Sequence, residues 1–144
     1  MTSLARHWAR HVVPEHVVGG QWLLKRPRVL IADDHPGVAK AVCRLLSLDC
    51  EVVGTVADGS AVLDAVQRLQ PDVIVIDINM ASVSGLEACR QVKQAIPEAK
   101  VIVFSATNDP GVAQRALEVG ASAFLSKGTG DLRSTIKRLC DDRG

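Results

Sequence analysis

The chain has 144 residues, 47% of them hydrophobic and 23% charged, which fits one globular domain with a real core and excludes a disordered tail. A formal net charge of +1 argues against a dedicated nucleic-acid binder, and no apolar run approaches the roughly 20 residues needed to cross a bilayer. Aromatic content is only 3% (Trp8, Trp22, Phe104 and Phe124, with no Tyr), so the core has to be built from Val, Leu, Ile and Ala.

Residues 1–27 read as a basic leader, flexible or partly helical, in which Arg6, Arg10, Lys25 and Arg26 face the single acid Glu15. Pro14, Glu15 and His16 interrupt its apolar residues, so a secretory signal is not expected. His7 and His11 lie four apart, near His16, but no third firm ligand makes them a metal site. Residues 28–144 form the main domain and are mildly acidic, with thirteen basic against fifteen acidic residues. Cys43, Cys50, Cys89 and Cys140 contain no CxxC pair and read as reduced thiols acting as small hydrophobes, which points to a cytoplasmic protein.

From Arg28 onward, short apolar runs alternate with helical stripes. Arg28 to Ala32 is a strand that ends at Asp33 and Asp34; Val38, Ala41, Val42, Leu45 and Leu46 then recur at helical spacing. Glu51 to Val56 reads as a strand, and Val62, Ala65, Val66 and Leu69 form a second stripe, with Asp58 or Ser60 as its cap. Val73 to Ile76 is a β-branched run ending at Asp77, the pattern of a strand buried on both faces. A third helix is marked by Leu86, Cys89, Val92 and Ile96, starting at Ser84 or Gly85 and stopping before Pro97. Val101 to Phe104 is the next buried run, ending at Ser105. Asp109-Pro110 opens a fourth helix with Ala113, Ala116 and Leu117 facing inward and Gly120 terminating it. A strand over Ala121 to Ser126 ends at Lys127, and Leu132, Ile136, Leu139 and Cys140 mark the last helix.

Five βα units predict an α/β fold, a doubly wound five-stranded parallel sheet with helices on both faces. Function in such folds sits at the carboxyl ends of the strands. Asp33, Asp34, Asp77, Ser105 and Lys127 therefore converge on one edge, three carboxylates against one ammonium. Carboxylates so close drive one another toward protonation unless a cation joins them. Hard oxygen ligands select Mg²⁺ or Mn²⁺, and such an ion typically serves a phosphate group. Taken singly, these residues have plain structural uses: the acids as helix caps, Ser105 as a turn residue, Lys127 as a solvated lysine and His35 as a helix-start residue. Their joint order carries the functional reading.

In that order the sequence resembles the receiver domain of two-component response regulators, which has the flavodoxin-like form of the predicted fold. The resemblance lies in Asp33-Asp34-His35, Asp77-Ile-Asn-Met80, Ser84-Gly85-Leu86-Glu87, Ser105-Ala106 and Gly120 through Lys127, and covers about residues 28–141. The Asp-Asp-His start is similar to the subfamily that often carries a C-terminal helix-turn-helix, and here the receiver is expected without that output domain. The resemblance implies that Asp77 accepts a phosphoryl group from a sensor histidine kinase, a phosphotransfer protein or a small phosphodonor. It implies Mg²⁺ (or Mn²⁺) on Asp34, Asp77 and the Asn79 backbone carbonyl, with Asp33 acting largely through water. Lys127 and Ser105 would contact phosphoryl oxygens, and Ser105 and Phe124 would form the switch. Output is expected from the face of the fourth helix, fifth strand and fifth helix, toward a downstream protein or a second copy. The implied role is a signalling phosphoacceptor, not an enzyme, with only self-catalysed phosphotransfer and autodephosphorylation.

Ala81 stands where the family usually has Pro, and Gly128 follows Lys127 where many members have Pro, so a looser loop and a less rigid Lys127 are expected. These departures keep open an interaction module that works without phosphate, and the receiver fragment of a DNA-binding transcription regulator remains a further alternative. A nucleotide binder of another class would need a glycine- or hydroxyl-rich loop where Asp33 and Asp34 stand.

Overall fold

The computed structural model of the chain describes residues 26–80, 82–128 and 130–141. The leader residues His7, Trp8, His11, His16 and Trp22, together with Ala81, Thr129 and residues 142–144, lie outside the described residues. Five strands, β1 (Arg28–Ala32), β2 (Glu51–Val56), β3 (Val73–Ile76), β4 (Lys100–Ser105) and β5 (Ala123–Ser126), alternate with five α-helices. The helices are α1 (Pro36–Leu46), α2 (Val62–Leu69), α3 (Gly85–Ala95), α4 (Pro110–Glu118) and α5 (Leu132–Asp141). All neighbouring strands pair in parallel, in the order β2-β1-β3-β4-β5, which is the doubly wound arrangement expected from the alternation.

The continuous apolar strands follow from this topology, because a central parallel strand is covered on both faces. Alternate residues of β1, β3 and β4 enter two cores. Leu30, Ala32, Ile74, Ile76, Val101 and Val103 pack with Val62, Ala65 and Val66 of α2, Ala88, Cys89 and Val92 of α3, and Ala116 of α4. Val29, Ile31, Val73, Val75, Ile102 and Phe104 pack on the other face with Val42 and Leu46 of α1 and with Leu132, Ile136, Leu139 and Cys140 of α5. Among the described residues, Phe104 is the only aromatic in the buried core, so branched aliphatics fill both layers.

Several local expectations need correction. In α1 only Val42 and Leu46 are buried, whereas Leu45 is 43% exposed; in α4, Leu117 is 54% exposed and only Ala116 is buried. Consecutive helical residues are rotated by about 100°, so Leu45 and Leu117 fall outside the inward arc held by Leu46 and Ala116. Asp58 caps not α2 itself but a short 3₁₀ turn, Gly59–Ala61, that leads into it. Of the two candidate starts for α3, Ser84 is the cap and accepts from the Glu87 N–H. β5 begins at Ala123, two residues later than expected, because Gly120 (φ 107°) ends the α4 segment and Ser122 pairs with both backbone groups of Val101 before β5 begins.

Candidate functional site

The acids lie at the ends of adjacent strands because the backbone continues sheet-like pairing one residue past β1 and β3. The Asp33 N–H donates to the Val56 carbonyl and the Asp77 N–H to the Ala32 carbonyl. On the far side of β4, the Lys127 N–H donates to the Ser105 carbonyl, which fixes the lysine at the end of β5. The topology thus brings together Asp33, Asp34, Asp77, Ser105 and Lys127, as their positions in the sequence predict.

Lys127 Nζ lies 2.9 Å from Asp33 Oδ2 and 3.4 Å from Asp77 Oδ1. It also stands 5.9 Å from the centre of the Phe104 ring, so an aromatic face backs the ammonium. Asp33 is 7% exposed, Asp77 4% and Ser105 0%, so their polar groups act in a medium that strengthens charge interactions. Burial pushes the Asp77 carboxyl above its ordinary range; Lys127 opposes this and Asp33 adds to it. Asp34 Oδ1 is shielded from solvent and has no hydrogen-bond partner among the described residues. His35 Nδ1 lies 2.9 Å from it, and hydrogen-bonds with Asp33 Oδ1 at 3.3 Å.

This donor set fits a divalent cation. Asp33, Asp34, His35 and Asp77 each offer one ligand atom, and these atoms all lie within 4.8 Å of one another. An unsatisfied buried oxygen beside two further carboxylates is what a hard cation would complete.

Two devices hold the loop after Asp77. A Cβ on Gly85 would stand 2.1 Å from the Asp77 carbonyl oxygen, so only glycine lets α3 start this close to the loop, and the Gly85 N–H donates to the Ile78 carbonyl. Ser82 adopts a left-handed conformation (φ 62°) and donates from its hydroxyl to Asp58 Oδ2 at 3.1 Å, tying this loop to the turn after β2. The Asp58–Ser82 bond was not foreseeable from spacing, because it joins residues 24 apart.

On the other side of the site, Ser105 Oγ accepts from the Thr107 N–H, Thr107 Oγ1 from the Asp109 N–H, and Asp109 Oδ1 from the Gly111 N–H. Three successive two-residue turns therefore run from Ser105 into the first turn of α4, a link that the sequence showed only at its Asp109-Pro110 end. Phe124 is half-buried against the core between the sheet and α2–α4. Asn79 is exposed in the loop after β3, and its backbone hydrogen bond favours the charged form of Asp77.

A five-stranded parallel α/β domain with acids, a hydroxyl and a lysine at its strand ends defines a class of phosphate-handling signalling modules. The response regulator receiver domain family matches residues 29–137, and the chain belongs to that family. It is 38% identical over 102 residues to the transcriptional regulatory protein DegU of Brevibacillus brevis, which covers 69% of this chain and 43% of that protein. It is 34% identical over 105 residues to the response regulator GacA of Pseudomonas viridiflava, covering 72% of this chain and 49% of that protein. The chain thus spans about half the length, or less, of these curated relatives. Among solved structures, it resembles the signal receiver domain of the response regulator NarL from Mycobacterium tuberculosis, with a TM-score of 0.72 and 32% identity over 82% of this chain and 95% of that one. A LuxR-family two-component response regulator from Aurantimonas sp. SI85-9A1 is similar with a TM-score of 0.77 and 27% identity, over 81% of this chain and 86% of that one. The protein is therefore a two-component signalling receiver of flavodoxin-like fold, from a family whose members work with histidine kinases or phosphotransfer proteins. No described helix is long and apolar enough to cross a membrane.

Proposed function

We propose that residues 28–144 act as a phosphoacceptor receiver in which Asp77 takes a phosphoryl group from a sensor histidine kinase or phosphotransfer protein. The observation that carries this reading is the ammonium of Lys127 set between the buried carboxylates of Asp33 and Asp77. Asp77 is the nucleophile: its carboxylate oxygen bonds to phosphorus as the donor's phosphorus–nitrogen bond breaks and the leaving imidazole takes up a proton. Phosphoryl transfer needs positioning and charge neutralisation more than acid–base chemistry. Lys127 receives one phosphoryl oxygen. Ser105, once its hydroxyl turns from the Thr107 N–H, donates to another. Asp34, Asp77 and the Asn79 carbonyl would hold Mg²⁺ (or Mn²⁺), with Asp33 acting through water, and the ion would supply charge neutralisation during transfer and hydrolysis. The acyl phosphate is intrinsically labile, so the same site resets the signal without a separate enzymatic function.

Ser105 and Phe124 form the proposed switch, and the face of α4, β5 and α5 carries the output to a downstream protein or a second copy. The setting is cytoplasmic. Incubation with a small phosphodonor and Mg²⁺ should give one phosphoryl adduct by intact mass, absent in Asp77→Asn, and beryllofluoride should bind only the wild type. A wild type inert to both reagents would refute the reading. Similarity to transcriptional regulators about twice the matched length favours a second reading, in which this receiver controls a DNA-binding function. Phosphodonor-dependent DNA binding by a full-length protein carrying this receiver, lost in Asp77→Asn, tests it.

A further inference from the structure

The two residues of α1 that are buried in the core, Val42 and Leu46, do not exhaust its apolar positions. Val38, Ala41, Leu45 and Leu48 recur at steps of three, four and three, the spacing that keeps side chains on one face of a helix. The helix proper ends at Leu46, but the Asp49 and Cys50 N–H groups both donate to the Leu46 carbonyl, at 3.1 and 2.7 Å, so the turn that carries Leu48 continues it. Val38 is half-buried and packs against the core, whereas Ala41 is exposed, Leu45 is 43% exposed and Leu48 68%. Such a strip is the kind of seam against which another apolar segment packs.

What lies beside the strip points to its occupant. The Arg26 guanidinium donates to the Ser47 carbonyl, immediately before Leu48, and the Glu51 N–H donates to the Pro27 carbonyl at 2.8 Å. Residues 26 and 27 are therefore anchored at the end of α1. Trp22, Leu23 and Leu24 precede this anchor in the sequence and are the longest run of large apolar residues in the leader. Four residues of chain span at most about 14 Å, so Trp22 is within reach of Leu48 and Leu45. We propose that Trp22, Leu23 and Leu24 of the leader fold back on α1 and cover Leu45 and Leu48, closing this face of the domain to other proteins. Lys40 and Arg44 are exposed beside the strip and disfavour the more basic stretch around Arg6 and Arg10 as its occupant. A separate protein is a poorer fit, because an interface of the usual size uses about 20–30 residues a side. A segment tethered next to the strip needs far less contact, since its effective concentration there is high.

The chain carries its own reporter, because its two tryptophans are Trp8 and Trp22. Trp8→Phe in the full chain leaves Trp22 alone, and its emission maximum and acrylamide quenching are then measured. In this parent, Trp22 should be quenched less than free N-acetyltryptophanamide and should emit at shorter wavelength. Adding Leu45→Asn and Leu48→Asn together should raise quenching to the value of the free compound and shift the emission to the red. Leu48→Ser alone, at the more exposed position, should move both in the same direction by less. Leu117→Asn, at a 54% exposed leucine of α4, should change neither. Both strip leucines are solvent-exposed, so the variants should keep the circular dichroism of the parent. A parent Trp22 as open to quenching as the free compound would overturn the proposal. So would equal protection in the parent and both strip variants, or an equal loss of protection in Leu117→Asn. Protection that fades as the protein is diluted would assign the strip to a second copy of the chain and overturn the intramolecular cover.

Discussion

Asp77→Asn should make the metal-free protein more stable. One oxygen each of Asp33, Asp34 and Asp77 lies within 4.8 Å of the others. Burial opposes the Asp77 charge most, Lys127 at 3.4 Å offsets part of that cost, and Asp33 adds to it. An uncharged amide of the same shape removes the remaining penalty of about 2 kcal/mol, the scale on which burying an incompletely paired polar group costs stability. For a chain of this size, that raises the melting temperature by roughly 5–8 °C. The pH dependence follows from the raised carboxyl of Asp77. Below the ordinary carboxylate range the group is protonated in both folded and unfolded states, and the advantage of Asn disappears. It grows as pH rises through the unfolded and then the raised folded value, and is complete above the latter. Urea unfolding in EDTA at pH 7.5 and pH 3.5 measures it. An Asp77→Asn midpoint no higher than wild type at pH 7.5, or a gain that persists undiminished at pH 3.5, would refute the electrostatic reasoning.

Three further outcomes can be checked with the same protein. Lys127→Ala leaves two buried carboxylates without their cation and should lower stability by about 3 kcal/mol in urea, because removing one partner of a buried pair strands the other. Gly85→Ala forces a Cβ into the Asp77 carbonyl, so it should lower both the melting temperature and the Mg²⁺ affinity measured by calorimetry. The Cys89 thiol is pushed up to about 11 by burial, so it should resist iodoacetamide at pH 8 in the folded state and react once the protein is unfolded, as peptide mapping would record.

The strands were legible because β1, β3 and β4 are covered on both faces, so nearly every residue must be apolar, and the runs stand out from any helical pattern. The site was legible for the same topological reason: the polar residue that stops each run has to lie at the carboxyl edge. Helix faces were less so. Leu45 beside Leu46, and Leu117 beside Ala116, are apolar neighbours that a stripe cannot separate, and only packing shows which one points inward. The Asp58–Ser82 bond joins residues 24 apart through two turns, which no local pattern encodes. The orientation of His35 depends on a backbone turn closed by Asp33. Chemistry by residue type alone also does not distinguish Asp77 from Asp33, since both are buried and both touch Lys127; the proposal of Asp77 as phosphoacceptor rests on the motif order of the family.

The placement of Lys127 limits the charge excess of the pocket. Its Nζ reaches Asp33 and Asp77 but has no hydrogen bond to Asp34, and Phe104 backs it from the core side. One ammonium thus serves two carboxylates, and the shortfall is concentrated at the third, on the shielded Asp34 Oδ1. That oxygen is where an incoming positive charge gains most, because it has little water to lose and no partner to displace. The imbalance in the pocket is therefore the same feature that would draw a cation to Asp34. A phosphoryl group arriving at Asp77 would then meet positive charge from two directions. Lys127 and the acids are consequently one electrostatic unit, and variants of Asp34 and Lys127 should be non-additive in both stability and metal affinity.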